Sequence, residues 1–134
     1  MSIALVIFDV DGTLAKPYTL ELLPRVREFF ALVLQADCAG RPKVAIATNQ
    51  GGVGMRYWME HNAFGSPENY PTEESIAGRL RELVNALGGD LDLPVYTSFR
   101  YRGDRGSWSP APPERAGDLR WSKAWRKPEP GMLL

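Results

Sequence analysis

Six apolar residues, Ile3-Ala4-Leu5-Val6-Ile7-Phe8, run directly into Asp9-Val10-Asp11-Gly12-Thr13-Leu14, and this junction constrains the fold more than any other stretch. An apolar run without alternation reads as a strand buried on both faces, the kind found in parallel sheets. Side-chain direction repeats every second residue, so Asp9 and Asp11 are expected to point the same way at the carboxyl end of that strand. That end of an open α/β sheet is where ligands bind. Two carboxylates so close repel; they persist with a cation between them or with their proton affinities pushed apart. Gly12 lets the chain turn tightly beside the ligand, whereas a plain strand-ending turn would need only one carboxylate.

Two later segments fit the same chemistry. Pro42-Lys43-Val44-Ala45-Ile46-Ala47 reads as a second buried strand running into a turn, Thr48-Asn49-Gln50-Gly51-Gly52. A hydroxyl, a carboxamide and glycine amides make that turn rich in donors suited to phosphoryl oxygens. Arg126-Lys127-Pro128-Glu129-Pro130-Gly131-Met132 places a lysine just before a proline-punctuated helix start. Such a lysine is a point charge able to neutralise a phosphate or a nucleophilic carboxylate. Read singly, each is also a polar turn after a strand or a solvated basic residue before a proline.

In this order the motifs resemble the haloacid dehalogenase superfamily of aspartate-nucleophile phosphatases. Asp9-Val10-Asp11-Gly12-Thr13 is similar to its first motif, Thr48-Asn49 to its second and Lys127 to its third. The wording Ala47-Thr48-Asn49-Gln50-Gly51 with Arg126-Lys127-Pro128-Glu129-Pro130-Gly131-Met132 resembles one subgroup, that of heptose bisphosphate phosphatase, histidinol phosphatase and polynucleotide 3′-phosphatase. The resemblance implies a Rossmann-like α/β fold with a parallel sheet, flanking helices and no large cap domain. It implies Asp9 as nucleophile, Asp11 as general acid and then base, and Lys127 as the charge-offsetting cation. Gly12, Thr48, Asn49, Gln50 and Arg126 become substrate-binding candidates, and Mg²⁺ the cofactor, held by the Asp9 carboxylate and the Asp11 carbonyl oxygen. The second carboxylate points to a phosphatase rather than the related ATPases, which carry a threonine there.

The family's fourth motif, acidic residues after a further strand, has no counterpart between Lys127 and Leu134. The chain therefore reads as a single domain, residues 1–134, incomplete at its carboxyl end and weakly active or inactive as a monomer. In the family that further strand lies beside the first, so its absence would leave a sheet edge open to self-association. A rival from another class is a non-catalytic phosphate-binding or interaction module.

Net charge is zero, which gives no support for bulk attraction to nucleic acid or anionic membrane. The charge is uneven, however: Arg100 to Lys127 holds eight basic residues against Asp104, Glu114 and Asp118. Cys38 is the sole cysteine, so no intrachain disulfide can form and a cytoplasmic setting is expected. The first apolar run breaks at Asp9, too early for a signal peptide or membrane span.

The remaining pattern alternates. A short connection from Ala15 to Leu20 leads to a helix from about Leu22 to Ala36, with Pro24 in its first turn and an apolar face of Val26, Phe30 and Val33 that fades near Asp37 and Gly40. Gly51 to Pro71 reads as irregular, with His61 a solvated loop residue. Thr72 reads as an N-cap for a helix with core stripe Ile76, Leu80, Leu83, Val84 and Leu87, ended by Gly88-Gly89; Leu93 to Phe99 is a third strand. Residues 100–125 form a long loop with three tryptophans, Trp108, Trp121 and Trp125, and prolines Pro110, Pro112 and Pro113. The resembling subgroup often carries a zinc loop here, but this one has neither cysteine nor histidine. It reads instead as a specificity element whose arginines grip a second anionic group and whose tryptophans stack on a sugar or base, the alternative being a self-packed linker. The favoured partner is a small phosphorylated metabolite of sugar phosphate type; a nucleic-acid 3′-phosphate end is the runner-up.

Overall fold

The computed structural model describes residues 5–35, 43–88 and 93–133. The first strand, β1, is Leu5–Phe8. It pairs in parallel with β2, Lys43–Asn49, Leu5 lying opposite Lys43 and Phe8 opposite Ile46. With β3, Val95–Ser98, they form a three-stranded sheet in the order β1-β2-β3, an α/β Rossmann-like arrangement flanked by helices. The helices are α1 (Val26–Gln35), α2 (Gly52–Asn62) and α3 (Glu73–Gly88).

The chain divides into two compact units. The first comprises Met1–Thr48 and Ala77–Val95, the second Asn49–Ile76 and Tyr96–Leu134. In the first unit, Val10, Leu14, Ala15, Phe30, Ile46, Leu80, Leu83 and Leu87 are buried. Phe8, Phe29 and Phe30 pack ring against ring with centroids 5.4–5.8 Å apart. Burying one such side chain is worth roughly 1.5–3 kcal/mol. In the second unit the buried residues include Val53, Met59, Phe99, Trp121 and Met132.

Three local expectations are corrected. β1 is not buried on both faces: Leu5 is 50% and Ile7 42% exposed, while Phe8 takes part in the ring cluster. All four of its residues are apolar, so the sequence hides the alternation that burial reveals. Helix α1 starts at Val26, leaving Pro24 ahead of its first turn. The preceding backbone is committed elsewhere, with the Leu23 N–H donating to the Leu14 carbonyl and Arg25 at φ +67°. The segment after Gly51, expected to be irregular, contains α2 and a 3₁₀ turn at Pro67–Asn69, so His61 lies on a helix, stacked on Tyr57 at 5.4 Å.

Other expectations hold. Thr72 and Ser75 cap α3 reciprocally: the Ser75 N–H donates to Thr72 Oγ1 at 3.1 Å, and the Thr72 N–H to Ser75 Oγ at 2.9 Å. Of the stripe Ile76, Leu80, Leu83, Val84 and Leu87, all are buried except Val84, which is half-buried. Asp37, Cys38, Gly40, Pro42 and Gly89 lie outside the described residues, as does the side chain of Val33.

Candidate active site

Asp9 and Asp11 follow the last residue of β1, in a turn built on one carbonyl. The Val10 oxygen accepts from the N–H groups of Thr13, Leu14 and Ala15 at 3.1, 2.9 and 3.2 Å. Val10, 1% exposed, anchors this turn in the core. Gly12 sits at φ +80°, a conformation costly for other residues, and its N–H donates to the Ala15 carbonyl at 2.8 Å. Gly12 thus makes the turn, as the sequence indicated. Asp9 Oδ1 accepts from the Val10 N–H at 2.7 Å.

Asp11 has a partner that the sequence reading missed. Its Oδ1 accepts from Arg79 Nη2 at 2.6 Å and from the Tyr18 N–H at 3.1 Å. Arg79 Nε donates in turn to the Thr19 carbonyl at 2.9 Å. The available signal was position: on α3, Arg79 lies three residues after Ile76 and four before Leu83, within the buried stripe, where a charge demands a partner.

Thr48 and Asn49 are the last two residues of β2 rather than part of a turn, and Thr48 is fully buried. Asn49 is joined to Lys127 across 78 residues of sequence: Asn49 Nδ2 donates to the Lys127 carbonyl, and the Lys127 N–H donates to Asn49 Oδ1, each at 3.0 Å. A carboxamide is the one neutral side chain that can both give to and take from a peptide unit in this way. The second and third motifs therefore form one hydrogen-bonded piece. Gln50 is buried, its N–H donating to the Ser98 carbonyl at 2.7 Å.

Glycines give the second unit its close approaches. A Cβ on Gly51 would stand 2.9 Å from Arg126 Nη1 and 3.4 Å from Tyr101 Cα. Arg126 Nη1 donates to the Arg100 carbonyl at 3.0 Å. Burial lowers the Arg126 guanidinium pKa, Tyr101 working against that and Arg102 with it; burial also lowers that of Arg100. At Gly54 a Cβ would collide with the Phe99 carbonyl oxygen.

Residues 100–125 are largely packed on themselves. Arg100 donates to the carbonyls of Ser109 and Trp121. Arg120 grips Asp118 with Nη2 to Oδ2 at 2.6 Å and Nε to Oδ1 at 2.9 Å. That hydrogen bond, opposed by desolvation, holds the Asp118 carboxyl below its usual range. Arg115 pairs with Glu73 at 2.8 Å, and Trp121, 4% exposed, donates Nε1 to the same carboxylate. Two cations approach the Trp108 ring, Arg102 at 5.3 Å and Lys123 at 5.7 Å from its centre. These arginines are spent largely on the loop's own carbonyls, carboxylates and rings.

Among the described residues no group of three or more His, Cys, Asp or Glu side chains is placed to hold a metal ion. No helix among them is long and apolar enough to cross a membrane.

The first motif after β1, the second at the end of β2 and an Arg-Lys-Pro run tied to it are the features by which this α/β chain resembles haloacid dehalogenase-like phosphatases, and the described residues contain no large cap. In sequence it is similar to a D-glycero-β-D-manno-heptose-1,7-bisphosphate 7-phosphatase of Pseudomonas aeruginosa, with 31% identity over 141 aligned positions. That alignment takes in 99% of this chain and 61% of the other protein, so the chain spans less than two thirds of its relative. The likeness bears out the resemblance to this phosphatase subgroup read from the motifs. No protein-family model matches the chain. No solved structure matches it either.

Proposed function

We propose that the protein hydrolyses a phosphomonoester of a small phosphorylated sugar or similar metabolite through an aspartyl-phosphate intermediate. The observation that carries this reading is the reciprocal Asn49–Lys127 pairing, which supports a common phosphate-handling role for the second and third motifs. The heptose bisphosphate phosphatase likeness supports the sugar phosphate class.

Asp9 attacks phosphorus in line, and the bond from phosphorus to the leaving oxygen breaks. Asp11 gives its proton to that oxygen, then takes one from the water that attacks the aspartyl-phosphate, which releases phosphate and restores Asp9. Lys127 offsets the charge of the transferring group. Thr48 and Asn49 are assigned to the phosphoryl oxygens; Asn49 Nδ2 carries a second proton beyond the one given to Lys127. Gly12 shapes the turn, and Gln50 and Arg126 border the substrate. The Asp9 carboxylate and the Asp11 carbonyl are oxygen donors of the kind that would hold a hard divalent cation. When bound, Mg²⁺ would supply charge neutralisation on the phosphoryl oxygens.

A panel of sugar phosphates, sugar bisphosphates and 3′-phosphorylated oligonucleotides, assayed at two salt concentrations, tests the substrate class. The expected preference is for a sugar phosphate with mild salt dependence. A tenfold advantage in kcat/KM for the oligonucleotide, about 1.4 kcal/mol of transition-state discrimination, falling steeply with salt, would overturn it.

A further inference from the structure

We infer that Arg102 and Lys123, gathered on the Trp108 indole, form a seat for a second phosphate of the substrate. The inference rests on the phosphatase reading above and narrows its substrate to a sugar bisphosphate. Residues 101–109 form a tight hairpin: the Ser109 N–H donates to the Tyr101 carbonyl at 2.9 Å and the Gly103 N–H to the Ser107 carbonyl at 2.8 Å. Gly106 takes φ +86° at its turn. Arg102 and Trp108 lie opposite each other between those bonds as an antiparallel pair. The Arg102 guanidinium stands 5.3 Å from the indole centre. Lys123, from the separate 3₁₀ turn Lys123–Trp125, brings its ammonium to 5.7 Å from the same ring. Cation–π attraction thus collects two charges from distant parts of the sequence at one place.

Positive charge is left over there. Arg115 and Arg120 meet carboxylates, those of Glu73 and Asp118. Arg100, Arg102, Lys123 and Arg126 make no ion pair among the described residues, and Asp104, the one acid of the hairpin, pairs with none of them. Arg100 and Arg126 are half-buried and donate only to neutral carbonyls. Arg126 Nη1 bonds the Arg100 carbonyl, so its charge stands at the foot of the hairpin. Burial lowers the Arg126 pKa first, and the like charge of Arg102 lowers it further against the opposing effect of Tyr101. Like charges held close without a counter-charge disfavour one another, and a bound dianion relieves them all. Phosphate suits the place, since its oxygens accept both from a planar guanidinium fork and from a compact ammonium. Arg126 directly precedes Lys127, which is assigned to the transferring phosphoryl group, and all of these residues belong to the second compact unit. A substrate with one phosphate at Lys127 can present its other phosphate to Arg102 and Lys123. A monophosphate leaves that pair empty.

Binding is measured apart from turnover, by titration calorimetry of the 134-residue chain carrying Asp9→Asn. The probes are glucose 1,6-bisphosphate and glucose 6-phosphate, which differ by one phosphate. The bisphosphate should bind about tenfold more tightly or better, as hydrogen bonds between charged groups warrant. Adding Arg102→Gln and Lys123→Gln together should bring the two affinities within about threefold of each other. Each substitution alone should give part of that loss, which covers the case in which the double variant fails to fold. Arg105→Gln, which removes an equal charge from the tip of the hairpin, should keep the preference and so separates placement from bulk charge. Equal affinities for the two probes, no measurable binding of either, or a preference that survives the double substitution would overturn the seat. Turnover of the same pair by the chain with Asp9 intact tests the phosphatase reading separately. Asp9-dependent hydrolysis without selective binding sinks the seat alone. Selective binding without such hydrolysis sinks the phosphatase reading, and with it the substrate role, while the phosphate seat stands as a binding site.

Discussion

Replacing Asn49 by alanine removes both hydrogen bonds to the Lys127 peptide groups, each 3.0 Å long. A net worth of roughly 0.5–1.5 kcal/mol apiece gives a loss of about 1–3 kcal/mol. For a chain of this length, each kcal/mol moves Tm by roughly 3–5 °C. Urea and thermal unfolding of Asn49→Ala against the unaltered protein measure it directly. Asn49→Asp sharpens the test, because the replaced nitrogen faces a carbonyl. The introduced carboxyl can donate to the Lys127 carbonyl only while protonated, so its pKa in the folded protein is raised. Its stabilising contribution is then fully present below the unfolded value, about 3.9, and is lost as pH rises through the higher folded value. Asn49→Asp should therefore approach the unaltered protein in stability at low pH and fall behind at neutral pH. A cost under about 0.5 kcal/mol for Asn49→Ala, with no pH-dependent gap for Asn49→Asp, would refute the reasoning.

Gly54→Ala drives a Cβ into the Phe99 carbonyl oxygen, and overpacking of this kind should cost about 1–3 kcal/mol in urea unfolding. Phe30→Ala removes a fully buried ring that packs on Phe8 and Phe29, for an expected loss of about 3–5 kcal/mol in the same assay. Asp118 has a depressed pKa through its hydrogen bond with Arg120, so its contribution is present above the unfolded carboxyl pKa and disappears as pH falls through the folded one. The stability gap between Asp118→Asn and the unaltered protein should thus be constant near neutrality and close below about pH 4.

The parts of this molecule that were legible in the sequence are those fixed by local pattern. The stripe from Ile76 to Leu87 and the Thr72 cap announce α3 because its 3.6-residue period survives along the whole element. Asp9, Asp11 and Gly12 could be placed after a strand because the apolar run ends so sharply. α2 was hidden because Gly51, Gly52 and Gly54 read as a turn. Gly54 owes its identity to the Phe99 carbonyl, 45 positions away, and no local rule conveys that. The same holds for Asn49 with Lys127 and for Asp11 with Arg79, whose separations are 78 and 68 residues. The arginines of residues 100–125 could be counted but not assigned, because whether a guanidinium meets a ligand or a nearby carboxylate is settled by packing.

The central claim is that Asp9 takes up a phosphoryl group. Its most direct test mixes the protein with Mg²⁺ and a sugar bisphosphate labelled on phosphorus, quenches in acid within milliseconds, and maps the labelled peptide. The account predicts an acid-stable, hydroxylamine-sensitive label on Asp9, absent from Asp9→Asn, whose turnover is abolished. Near-normal hydrolysis by Asp9→Asn, or a label on any other residue, would contradict it.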